Sequence, residues 1–203
     1  MNRPPAFNPY AAPASPGRPP TPHNLGLLGL AGLATCGFFA SVVAGAATNA
    51  INVRVSPQYF AAIMGWRGVA DIASAGIVQG IFEGMVIGAG LSPMFVGGVA
   101  WITRAGCSFG FALAHLLGIL AGALLAWAIG GAAAVGLASL SPEWFRMNIR
   151  GVPPGEAELL RFAWVGGSIL GIEVGGLLSV VAGLAALREN WRRRLSREIR
   201  FLG

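Results

Sequence analysis

The stretch Ile72–Thr103, IASAGIVQGIFEGMVIGAGLSPMFVGGVAWIT, runs for 32 residues with one charged side chain, Glu83. Built as a helix at about 1.5 Å per residue it exceeds the roughly 30 Å hydrocarbon core of a bilayer. A helix that is apolar on every face needs lipid or a large protein core around it. Three more segments pass the same length test: Leu25–Val53, Phe109–Leu140 and Phe162–Leu187.

Composition removes the soluble alternative. The chain is 55% hydrophobic and 11% charged, whereas a soluble domain carries about 25% charged residues. The expected fold is therefore all-α: an integral membrane four-helix bundle, made of two tandem two-span repeats with short interfacial helices. Residues 25–187 form the four-span domain, with repeats at about 25–104 and 105–187. Residues 1–24 hold eight of the 13 prolines and no apolar period, which predicts a disordered cytoplasmic arm. The first apolar run is too long for a signal-peptide core and reads as a retained span. Residues 188–203 read as a basic amphipathic helix on the membrane surface, with Trp191, Arg192, Arg193, Arg194 and Arg197 at the lipid headgroups.

The repeat rests on two matches. Val55-Ser56-Pro57-Gln58-Tyr59-Phe60 after the first span recurs as Leu140-Ser141-Pro142-Glu143-Trp144-Phe145 after the third, 85 residues later. Gly76, Gly80 and Gly84 of the second span align with Gly167, Gly171 and Gly175 of the fourth at an offset of 91. Two such copies share one orientation and are related by an axis along the membrane normal. Gly76, Gly80, Gly84 and Gly88 on one span, and Gly167, Gly171 and Gly175 on the other, have the small-residue spacing that lets helices approach closely.

Each Ser-Pro box predicts a helix start: the serine hydroxyl accepts from a free backbone amide, and proline occupies a position whose N–H has no partner. Ser56, Pro57, Tyr59, Phe60 and Trp66, and Ser141, Pro142, Trp144 and Phe145, are expected as interfacial anchors, with the aromatics at headgroup level. Ser56-Pro57-Gln58-Tyr59-Phe60 and Gly80-Ile81-Phe82-Glu83-Gly84 resemble boxes of uncharacterised bacterial multi-span membrane proteins, which carry a Ser-Pro-Glu-Tyr-Phe-like box after a span and a Gly-x-Phe-Glu-Gly-like segment in the next. The resemblance covers about a third of the chain, Gln58 departs from its acid, and it implies no activity.

The polar chemistry is concentrated in two acids. Glu83 and Glu173 fall near mid-bilayer, where an ionisable side chain is costly and marks a candidate site. Counting along the first two spans sets Ser41 level with Glu83 as its expected partner, with Gln79 one turn away. His115 lies nearer the cytoplasmic edge, level with neither acid. In the structural reading both acids are protonated and donate hydrogen bonds; in the functional one they relay a proton or cation. No Cys/His/Asp/Glu group has metal-ligand spacing, so no metal and no cofactor is expected, and Cys36 and Cys107 read as small apolar residues.

All 14 basic residues are arginine. Nine fall on one side of a four-span topology and five on the other, which predicts an inner-membrane protein with both termini cytoplasmic. There is no nucleophile beside a base and no nucleotide loop, so no enzyme is expected. Partners are the lipid bilayer, other membrane proteins or a second copy, and no nucleic acid. The first reading of function is a non-enzymatic scaffold or subunit of a membrane assembly; the alternative is a small proton- or cation-coupled transporter or channel using Glu83 and Glu173.

Overall fold

Local chemistry sets where the helices begin. Asp71 accepts from the Ser74 amide at 3.0 Å and starts α3, Ile72–Thr103; Ser108 accepts from the Phe111 amide at 3.3 Å and starts α4, Phe109–Leu140. Before them come α1, Leu27–Val55, and the short α2, Pro57–Ile63; after them α5, Pro142–Asn148, and α6, Glu156–Leu202. This computed structural model describes residues 25–202, with side chains through Arg197. The Pro-rich arm lies outside the described residues. Among those described, all regular structure is helical, and α1, α3, α4 and α6 are each long and apolar enough to cross a membrane. Their outer faces leave Leu28, Val43, Trp101, Leu125 and Leu170 exposed, an apolar surface that lipid, not water, can cover. The chain is an all-α, multi-pass membrane protein.

Glycine decides how the spans pair. A Cβ at Gly45 would overlap the carbonyl oxygen of Gly80, and one at Gly84 would lie 2.5 Å from that of Ser41, so α1 and α3 cross backbone to backbone. Gly130 meets Gly167 and Gly171 in the same way, joining α4 to α6. The two seams correspond contact by contact. Gly37 faces Ser92 as Gly122 faces Ser179, and Gly88 faces Ser41 as Gly175 faces Ala126. These partners stand 85 residues apart on α1 and α4, and 87 apart on α3 and α6. The glycine alignment at 91 is therefore one helical turn out: Gly80 has the place of Gly167, not Gly171. In the contact frame Glu83 corresponds to Leu170 and Glu173 to Val86.

Between the pairs, like runs beside like. Gly32 lies under Phe109 and Gly37 near Leu116, which makes α1 and α4 parallel; Leu91 covers Gly176 and Leu184 covers Gly98, which does the same for α3 and α6. Toward its start α6 instead meets α1, where Ser168 donates to Asn52 Oδ1 at 3.1 Å.

Three sequence expectations change here. The Ser-Pro boxes do start α2 and α5, but only Ser56 caps with its side chain, accepting from the Tyr59 amide at 3.3 Å; Ser141 makes no such bond. Phe60 and Phe145 are not headgroup anchors. The first packs with Val53 and Val165, the second with Ala138 and Leu159, because a helix of two turns tucks one face against the spans it joins. Tyr59 packs on Phe162 and Trp66 stacks on Phe60, whereas Trp144 remains exposed. The third change is at the C-terminus. No glycine or proline interrupts the chain between Gly183 and Leu202, so the fourth span continues as one helix and does not turn onto the membrane surface. Trp191 packs toward Phe111 and covers Gly106, and the Arg194 guanidinium lies 4.4 Å over the Phe111 ring, which fixes this extension to the start of α4.

Candidate functional site

Glu83 is held by two amides from different spans. Asn49 Nδ2 donates to Oε2 at 3.1 Å, and Gln79 Nε2 donates to Oε1 at 3.0 Å. Both carboxyl oxygens thus accept from side-chain amides, one across the α1–α3 seam and one from the same helix. Gln79 is the expected neighbour one turn back on the same helix. Ser41 is not the partner: its hydroxyl donates to the Gly37 carbonyl at 3.0 Å, inside α1. Level alone misled. A helical side chain leans toward its own N-terminus, so Glu83 reaches back along α3 to the height where α1 presents Asn49.

Both acids line one cavity of about 90 Å³ between the two helix pairs. That volume accommodates several waters. Its lining on α1 extends from Gly37 to Asn52, roughly 22 Å of helix axis. The polar part comes from Ser41, Thr48, Asn49 and Asn52 on α1, Glu83 and Ser92 on α3, and Glu173 on α6; the α4 wall is apolar, with Leu116, Ile119 and Leu120. The halves match in their seams but differ in chemistry, since α4 has Ala126, Ala133 and Ala134 where α1 has Ser41, Thr48 and Asn49. Thr48 returns its proton to the Ala44 carbonyl at 2.8 Å. Asn52 is fully buried, and its Nδ2 has no partner among the described residues. A buried amide N–H left unpaired is expensive.

Glu173 differs from Glu83. No protein group hydrogen-bonds it among the described residues, and it is exposed at the protein surface while Glu83 is half-buried. It sits where α6 passes from α3, at Leu91 and Gly176, to α1, at Asn52 and Ser168.

Other sequence candidates are elsewhere. Half-buried Tyr59, at the end of the bundle, is held protonated above the usual phenol range, first by burial and then by the negative field of Glu83 and Glu173. His115 lies at the opposite end: Nδ1 is 2.9 Å from the Phe111 carbonyl and Nε2 is 3.2 Å from Asn190 Nδ2. It belongs to the anchorage of the α6 extension. Sequence reading sets Asn52 on a small, polar stripe of the first span, Gly37, Ser41, Ala44, Thr48 and Asn52, at spacings of four and three, but passed over Asn49, whose place beside Thr48 was the available signal. Among the described residues no group of His, Cys, Asp and Glu has the arrangement of a metal site. No protein-family model, curated protein or solved structure matches the chain.

Proposed function

We propose that the chain is a small membrane protein that binds and passes a proton or small cation, with Glu83 and Glu173 as its ionisable groups. The observation that carries this reading is the shared cavity: two acids from different helix pairs converge on one space whose wall is otherwise mostly apolar. Asn49 and Gln79 hold Glu83 in a fixed acceptor geometry, while Glu173 is free to change partner. Two carboxylates in one poorly solvated space require a compensating proton or cation, and exchanging that compensating charge is the elementary step of a relay. We infer further that the halves are tandem copies, since their contacts recur in parallel sense. Both termini are assigned to the cytoplasmic side of an inner membrane from the arginine distribution.

The scaffold or assembly-subunit reading is kept for one observation: Glu173 leaves much of its surface outside the protein, as a residue covered by a neighbouring subunit would. The deciding measurement is flux through reconstituted vesicles under a pH or cation gradient. Wild type should conduct, and Glu83→Gln and Glu173→Gln should each lower the rate about tenfold or more, within the usual cost of removing a proton-transfer group. No wild-type flux, or flux unaltered in both variants, eliminates the relay. A wild type without flux whose oligomer dissociates on Glu173→Gln supports the assembly reading.

A further inference from the structure

At the end of the bundle where α3 stops, α6 continues. The two helices touch at Gly98 and Leu184, and beyond that contact they bound an open groove of about 870 Å³. Leu184 and Ala185 give it an apolar floor, Trp101 stands 86% exposed at its lip, and Arg104, Arg188 and Arg192 line it. We propose that this groove binds the phosphate headgroup of an anionic phospholipid, with an acyl chain laid against Trp101 and Leu184. The idea rests on the multi-pass fold and is independent of the relay.

Three observations select this occupant. First, the arginines of this end are not equivalent. Arg193 is paired with Glu189 at 2.8 Å and Arg194 is stacked on Phe111, so both are engaged with the protein. Arg104, Arg188 and Arg192 have no carboxylate partner among the described residues. Headgroup binding therefore falls to a different set from the one the sequence suggested, with Arg192 common to both. Second, the three are presented on fixed backbone. Arg188 and Arg192 lie one turn apart on an extension held by Trp191 against the α4 start, and Arg104 ends α3 in the left-handed conformation, φ 51°. A non-glycine residue in that conformation carries strain. Third, the groove is amphipathic in the direction a lipid requires: Leu184 and Trp101 belong to the apolar spans, while Arg188 and Arg192 lie beyond them. A free anion would use the arginines and leave the apolar floor empty. Guanidinium groups suit a phosphate through paired N–H donors.

The test uses the full chain, purified in neutral detergent, and counts retained lipid by native mass spectrometry after exposure to phosphatidylglycerol, to phosphatidylcholine, or to inorganic phosphate alone. The expected result is one retained phosphatidylglycerol per chain, with phosphatidylcholine lost. Arg188→Gln and Arg192→Gln should each weaken retention about fivefold, the effect of one basic residue at an anionic surface. Arg104→Gly should weaken it similarly while relieving the backbone strain, so a folding defect cannot explain its effect. Arg193→Gln is the control and should leave retention unchanged. Equal retention of both lipids overturns the proposal. So does equal loss in Arg193→Gln, which would indicate diffuse attraction, and so does inorganic phosphate binding as well as the lipid. The wild-type comparison decides even where a variant is unstable.

Discussion

Asn49 shows how much a single side chain carries. It donates across the α1–α3 seam to Glu83, so Asn49→Leu removes one of the two donors on that carboxylate and should lower stability by about 1 kcal/mol, the usual scale for a polar pair between spans. Ser41→Ala should change stability little, because its hydroxyl serves a carbonyl of its own helix. Thermal unfolding of both variants in the same detergent checks the contrast; a larger loss from Ser41→Ala would return that residue to the role the sequence suggested. The turn after α3 offers a second residue-scale case. Ala105 has φ 55°, and its carbonyl accepts from the Leu25 amide at 2.7 Å. Glycine takes that conformation without strain, so Ala105→Gly should raise the unfolding free energy by about 1 kcal/mol. The acids themselves were legible as candidates from their place in apolar spans, although Glu173 is exposed on the protein surface. Their partners were not, since a partner depends on the lean of a side chain along its helix and on hydroxyls already committed to their own backbone.

At the scale of elements, the spans were legible because length and apolar content fix them: α3 and α4 run over Ile72–Thr103 and Phe109–Leu140, as read from sequence. The glycine ridges were legible too, as contact seams, yet their alignment slipped by four residues. Glycines at a spacing of four match themselves after one turn, and only the residues facing them break that ambiguity. Ser92 against Gly37 and Ser179 against Gly122 do so. The prediction follows from the same contacts. Gly45→Leu and Gly130→Leu place a side chain where a carbonyl oxygen now sits, and each should cost about 1–3 kcal/mol or more, as overpacking does. Gly90→Leu should be tolerated, since nothing lies within 4 Å of a Cβ there. Detergent-resistant unfolding midpoints of the three variants test this, and equal damage from Gly90→Leu would mean that the outer face of α3 is itself covered. That the helix of the fourth span runs on past Leu187 was not legible for a related reason: composition changes at Arg188, but a change of polarity does not end a helix that lacks a breaker.

The whole molecule brings Tyr59 of the first half onto Phe162 of the second, ring centroids 5.0 Å apart, within the field of acids from α3 and α6. No one helix pair supplies that environment, so the phenol reports the assembled bundle. Its folded pKa lies above the unfolded value of about 10, chiefly through burial, with Glu83 and then Glu173 adding to the rise. The neutral phenol is therefore the form that favours the fold. Its contribution is complete below pH about 10 and is lost as pH rises from there through the folded pKa. The protein has two tyrosines, and Tyr10→Phe leaves Tyr59 as the only phenolate signal in an ultraviolet titration. That signal should titrate above a free tyrosine. Adding Glu83→Gln should bring the midpoint part of the way down, Glu173→Gln somewhat less, and neither should bring it to the free value, because burial remains. A midpoint equal to that of free tyrosine would mean that α2 does not pack onto α6. A raised midpoint indifferent to both substitutions would mean that the two acids exert no field at the end of the bundle, and the electrostatic link between the cavity and Tyr59 would be gone.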